Sequence, residues 1–268
     1  MIIKRKEDGM NLESSKEQIE KENALTESEF IKQYDSSKYE KPSVTVDIMV
    51  FTVIKDKLCV LLIKRGRHPF KDAWAIPGGF INMDEDADTA AKRELEEETK
   101  VTGVHLEQLY TFSSVHRDPR MRVISISYIA IVPYNKLQYA YGDDASDSRI
   151  FEIRRANDDV YILDSLDYNI RLSKSDLAFD HYEILKTAIK RLEGKLDYTD
   201  IAIDFLLDKN DFSMNEILWI YNAISGKEYS KPNFARDFKA RYQNRLVKTG
   251  QEKSNHGKPV NKYSISDK

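Results

Sequence analysis

From Ser43 to Val53 the chain reads SVTVDIMVFTV, apolar at most positions and rich in β-branched residues; LCVLLIK (Leu58–Lys64) follows after Lys55-Asp56-Lys57. Runs of this length and composition predict two strands joined as a β-hairpin. Trp74-Ala75-Ile76 predicts a short strand leading into the turn Pro77-Gly78-Gly79. Ala87, Ala91 and Leu95 recur every four residues, the buried stripe of a helix, with Asp84 or Asp86 as its N-cap. Val104–Phe112 and Met121–Pro133 predict further strands, the second with clear alternation. Residues 154–179 alternate weakly and predict a further sheet segment or a loop. Tyr182, Leu185, Ala188, Ile189 and Leu192 predict a helix over 180–193, with Asp180 as N-cap and Gly194 at its end. Ahead of the first strand, residues 1–38 are polar. Thr26–Tyr34 predicts a short amphipathic helix capped by Thr26, and the rest reads as disordered or loosely packed.

Beyond Gly194 the pattern changes. Tyr198–Leu207 gives no clear element. Ser213, with Glu216 three residues on, has the form of a capping box for a helix over Met214–Ile224 that ends at Gly226. Pro232 opens a second helix, Asn233–Val247, whose stripe is Phe234, Phe238, Tyr242 and Leu246. Thr249-Gly250 predicts a turn, and Val260–Ile265 a short strand. Helix, helix and basic hairpin in this order suggest a winged helix-turn-helix. Asn233, Arg236, Lys239 and Arg241 on the second helix are then the DNA-facing set, with Lys253, His256, Gly257 and Lys258 at the wing.

Charge sharpens this division. The chain of 268 residues carries a net −3, but residues 227–268 hold eleven basic and four acidic residues, a net of +7, against −10 for the remainder. A basic end on an acidic body suits a polyanionic partner. An apolar content of 41% supports a core, and the length allows one large or two modest domains. No apolar run approaches a membrane span, the N-terminus lacks the apolar stretch of a signal peptide, and a cytoplasmic location is expected. The single cysteine, Cys59, excludes an internal disulfide and a multi-cysteine zinc site.

The chemistry concentrates in GGFINMDEDADTAAKRELEEETKV, residues 78–101. On a helix Glu94, Glu97 and Glu98 share a face, where three carboxylates repel one another until a hard divalent cation ligates them. Arg93 is placed to pair with Glu97 four residues on. Between the two later strands, HRDPRMR brings Arg117, Arg120 and Arg122 around a proline, a candidate clamp for phosphate oxygens. Gly78 and Phe80, at the glycine turn, complete the substrate-binding candidates. The acidic loop Gly142-Asp143-Asp144-Ala145-Ser146 is either a further carboxylate source or a plain surface turn.

The spacing of that stretch resembles the Nudix box. After Gly79 come five residues, Glu85, seven residues, and Arg93-Glu94-Leu95-x-Glu97-Glu98, with one departure, Lys100 where the box has glycine. Together with PSVTVDIMVFTV, AWAIPGGF, YGDDAS and the C-terminal pattern from FSMNEILWIYNAISGKEYSKPNFARDF to NKYSI, it resembles Nudix-related regulators of NAD metabolism and ADP-ribose pyrophosphatases over residues 40–268. The resemblance implies an α+β architecture: a Nudix α/β/α sandwich with a mixed sheet over residues 39–195, then a winged-helix domain over 196–268, in a homodimer. It implies that Glu94, Glu97, Glu98 and the Gly79 carbonyl hold Mg2+ or Mn2+, with Glu85 and Arg93 in support. The implied activity is hydrolysis of ADP-ribose to AMP and ribose 5-phosphate, coupled to double-stranded DNA binding through residues 213–265. The alternative is a repressor whose Nudix domain only senses ADP-ribose. A third reading, removal of oxidised nucleotides, predicts turnover of nucleoside triphosphates.

Overall fold

The structure, a computed structural model, describes residues 19–137, 145–157, 160–167, 169–253 and 259–266. The acidic loop at 142–144 and the wing-tip residues His256, Gly257 and Lys258 lie outside the described residues. The chain divides into two compact units, Met1–Lys41 and Pro42–Lys268. In the first, α1 (Glu27–Gln33) is capped by Thr26, with Glu29 closing a capping box, and a 3-10 turn covers Ser36–Lys38. The predicted helix is therefore present, within a segment otherwise expected to lack structure.

The second unit is built on a mixed sheet. Its strands are β1 (Ser43–Ile54), β2 (Lys57–Arg65), β3 (Trp74–Ala75), β4 (Gly78–Phe80), β5 (His105–Phe112), β6 (Val123–Ile131), β7 (Ala145–Asn157), β8 (Val160–Ser165) and β9 (Arg171–Leu172). The main order is β5-β6-β1-β2-β7-β8-β9, with β3 on β2 and β4 on β1. β1 runs parallel to β6 and antiparallel to β2 and β4. The unbroken apolar run of β1 has a simple cause: the strand is covered on both sides. Val46, Ile48 and Val50 pack with Ala90, Ala91 and Leu95 of α2 (Ala87–Thr99). Met49, Phe51 and Val53 join the core formed with Tyr182, Leu185, Ala188 and Ile189 of α3 (His181–Lys195). Helices on both faces of a mixed sheet make the expected α/β/α sandwich.

Beyond α3 come a 3-10 turn (Ile203–Phe205), β10 (Phe212–Ser213), α4 (Met214–Ser225), α5 (Lys231–Arg241), β11 (Leu246–Lys253) and β12 (Pro259–Ile265). The last three strands form a sheet in the order β10-β12-β11. The Ser213–Glu216 capping box is present, and Gly226 ends α4 in the left-handed conformation.

Three boundaries differ from expectation. α3 runs through Gly194 to Lys195, and Asp180 makes no capping bond because its carboxylate is engaged by Arg117. α5 stops at Arg241 rather than Val247, because Leu246 pairs with Ile265 in a strand. Gly250 is no turn; it lies inside β11 next to a register shift in the ladder. The stripe Phe234, Phe238 and Tyr242 is buried as expected.

Candidate active site

The site is assembled where β4 meets α2. The chain enters through β3 and turns at Pro77; β4 then pairs Gly79 with Val46 and Gly78 with Asp47 of β1. Gly78 has φ of +154°, and a Cβ there would lie 2.2 Å from the Val46 carbonyl oxygen. Gly79 faces α2: its Cβ would fall 2.1 Å from Glu94 Oε1. Bare backbone at Gly79 thus makes the seat in which the Glu94 carboxylate lies. Asp86, one of the two predicted caps, accepts from the Thr89 N–H and fixes the start of α2.

Arg93 organises the acidic side chains. Its guanidinium donates to both oxygens of Glu85 (2.7 and 3.1 Å), to Glu94 Oε1 (2.7 Å) and to the Phe80 carbonyl (3.3 Å). The predicted contact to Glu97 exists at 3.5 Å but is the longest of its carboxylate contacts. Glu85 also accepts from the Asn82 N–H, and these bonds hold its carboxyl below the usual range. Glu85 and Arg93 therefore act as a brace between the glycine corner and the helix.

Glu94 and Glu98 behave differently. Burial raises the Glu94 carboxyl, opposed by the Arg93 hydrogen bond. Burial, with repulsion from Glu94 and Glu97, pushes Glu98 up to about 7. Glu98 Oε2 is buried with no hydrogen-bond partner among the described residues. Glu97 is exposed. Among the described residues no three His, Cys, Asp or Glu side chains form a closed metal-ligand set. The donors nevertheless fit a hard divalent cation: carboxylates in mutual repulsion, one with an orphaned oxygen, beside a glycine seat.

The three arginines of HRDPRMR do not form a clamp. Arg117 is buried and donates to Asp180 (2.7 and 3.0 Å) and Asp47 (3.1 Å). Arg122 is spent on the carbonyls of Ser113 and Ser114. Arg120 pairs with Asp118 and lies 5.9 Å from the ring centre of the exposed Phe80, which keeps both at the edge of the site. On α5, Arg236 pairs with Asp237, while Asn233 and Lys239 are exposed. Arg241 instead turns back to the carbonyls of Leu196 and Thr199 beyond the end of α3, so its expected place in a DNA-facing set is not what the structure shows.

One group escaped the sequence reading. Asp47 accepts from Arg117 and Ser125, and His181 Nε2 lies 3.9 Å from its other oxygen. His181 Nδ1 accepts from the Ile76 N–H at 3.0 Å. These residues are far apart in sequence, and no local pattern marks them.

The NUDIX domain model matches residues 41–164, which contain the whole corner and α2. The ADPR responsive transcriptional repressor NtrR of Acinetobacter baylyi is 32% identical over 80% of this chain and 79% of its own length. The ADP-ribose pyrophosphatase of Methanocaldococcus jannaschii is 35% identical over 61% of this chain and 85% of its own. Among solved structures, Shewanella oneidensis NrtR complexed with a 27mer DNA superposes with a TM-score of 0.64 at 28% identity, covering 83% of this chain and 93% of that one. With the Glu94 carboxylate seated at Gly79 and likeness over most of both chains, this chain belongs to the Nudix family.

Proposed function

We propose that this chain binds ADP-ribose at the Gly79–Glu94 corner, hydrolyses it to AMP and ribose 5-phosphate, and couples the site to DNA binding through residues 213–265. The observation that carries the reading is the Glu94 carboxylate lying in the Gly79 seat, with Glu98 Oε2 buried and without a hydrogen-bond partner among the described residues. Glu94, Glu97, Glu98 and the Gly79 carbonyl would hold Mg2+ or Mn2+, which when bound supplies Lewis acidity to the diphosphate. Glu98 Oε2, buried and without a hydrogen-bond partner among the described residues, would be one of the oxygens offered to the ion. Glu85 and Arg93 keep α2 against the corner. Gly78 lets the corner pack closely against Val46 and Asp47 of β1, and Phe80 with Arg120 forms the outer edge of the site. Residues 39–195 would form the Nudix part and 196–268 the winged-helix part, with Asn233, Arg236 and Lys239 toward DNA and the chain paired as a homodimer.

A second reading, a repressor that senses ADP-ribose without cleaving it, is favoured by the likeness to NtrR across most of both chains. Two assays separate them: AMP release from ADP-ribose with Mg2+, and DNA affinity with and without ADP-ribose at fixed salt. AMP release together with ADP-ribose-dependent DNA affinity supports the proposal; DNA release without AMP supports the sensor. Glu97→Gln should lower AMP release at least about a hundredfold while leaving the fold intact; undiminished turnover would remove Glu97 from the mechanism.

A further inference from the structure

We propose that His181 is a positioning residue of the nucleotide site, supplied from the opposite face of the sheet by the first turn of α3. The proposal rests on reading the glycine corner and α2 as that site. The segment Trp74–Gly79 has few anchors of its own, since β3 spans two residues and β4 three. Its backbone is tied down from the segment around the start of α3. The Ala178 N–H donates to the Trp74 carbonyl at 2.7 Å, and the Ile76 N–H donates to His181 Nδ1 at 3.0 Å. The Pro77 carbonyl accepts from the Ile48 N–H at 2.8 Å. Gly78 then has no room to shift toward Val46 and Asp47, and Gly79 is presented to Glu94.

The imidazole is itself held. It is buried, and an Nδ1 that accepts places the proton on Nε2, toward Asp47. Burial lowers its basicity, which keeps Nδ1 free to accept. Asp47 is shared with Arg117, whose other contacts are to Asp180, the neighbour of His181. Asp47, Arg117 and Asp180 thus form a bridge joining β1 beside Gly78 to the start of α3. Without an acceptor at Nδ1, the Ile76 N–H is buried and unpaired, and the corner relaxes to recover a partner. The Gly79 seat shifts with it, although His181 touches neither α2 nor a ligand.

The test uses the full chain with ADP-ribose and follows Mn2+ uptake by the loss of the free-ion paramagnetic resonance signal, beside thermal unfolding. His181→Leu should weaken Mn2+ uptake about tenfold or more, the range for groups that orient ligand-bearing backbone. His181→Asn, which keeps an acceptor where Nδ1 stands, should return uptake to within about threefold of the parent. Leu192→Ala, a buried change further along α3, serves as the stability control: it should lower the unfolding midpoint and leave uptake unchanged. Should His181→Leu not fold, His181→Gln, whose acceptor sits one bond further out, carries the same expectation. Equal uptake by His181→Leu and the parent overturns the proposal, as does a Leu192→Ala loss as large as that of His181→Leu. A parent chain that takes up no Mn2+ with ADP-ribose overturns the nucleotide-site reading first, and this proposal with it.

Discussion

At the scale of single residues, the two adjacent glycines of the corner make opposite predictions. An added Cβ at Gly78 meets backbone, the Val46 carbonyl and Asp47 Cα, and φ there is also unfavourable to an L side chain. At Gly79 it meets the end of the flexible Glu94 side chain. Gly78→Ala should therefore destabilise the fold by about 2 kcal/mol or more. Gly79→Ala should fold with little loss of stability, displace Glu94 and reduce Mn2+ uptake about tenfold. Thermal unfolding and ion titration of the two variants check the contrast, and an unchanged affinity in Gly79→Ala would detach Glu94 from the site. Lys100 is the complementary case. It ends α2 with φ of 57° and ψ of 22°, the left-handed conformation for which the box glycine is suited, and it donates from Nζ to the Glu97 carbonyl. Lys100→Gly should stabilise the protein by up to about 1 kcal/mol, the relieved strain less the lost hydrogen bond and the greater freedom of the unfolded chain. Denaturant unfolding measures it, and a decrease in stability would mean that the Nζ bond outweighs the strain.

At the scale of elements, legibility followed locality. β1, β2 and α2 could be read because their patterns report faces buried along their whole length. β9 and β10 span two residues each, and their existence depends on partners elsewhere in the chain. The end of α5 was misplaced because Tyr242 and Leu246 continue its four-residue step, whereas the pairing of Leu246 with Ile265 decides the matter from a distance. Arg117 reads as a phosphate ligand because it stands with Arg120 and Arg122 around a proline; its partners Asp47 and Asp180 lie 70 and 63 residues away. A similar long-range cluster joins β5 to the 3-10 turn Ile203–Phe205. His105 lies 3.1 Å from Asp204 and 3.3 Å from Glu107, and Glu107 also pairs with Lys195 of α3. The neighbouring carboxylates, Asp204 first and then Glu107, raise His105 from 6.5 to about 9. A raised histidine contributes stability that is fully present below about pH 6.5 and is lost as pH rises through 9. Between those limits stability should fall by on the order of 1–3 kcal/mol through this cluster, and His105→Gln should flatten that slope. Urea midpoints at a series of pH values test it; the same slope in the variant would exclude His105 as its source.

At the scale of the whole second unit, the sandwich and the C-terminal helices share one interior. The same apolar cluster runs from Met49, Phe51 and Trp74 through Tyr182 and Leu192 to Phe212, Ile217, Phe238 and Ile265. Polar ties reinforce it where α3 ends. Arg241 and Tyr221 donate to the Leu196 carbonyl, a cation placed favourably at a helix C-terminus, and Tyr242 and Arg245 both reach Asp200. A domain boundary near residue 195 would therefore divide functions without dividing the core, and the two parts should unfold together. The two tryptophans are placed to show it, since Trp74 lies buried against Phe151 in the sandwich and Trp219 is on the exposed side of α4. Trp219→Phe leaves a reporter of the sandwich, and Trp74→Phe leaves one of the winged part. In each variant the fluorescence transition in urea should coincide with the loss of helix measured by circular dichroism. Trp74→Phe, which trims a packed ring, should lower both curves together by about 1–3 kcal/mol. Were the Trp219 signal to change at lower urea than the helix signal, the C-terminal helices would be a separately melting layer. Changes at the glycine corner would then have no common core through which to reach α5.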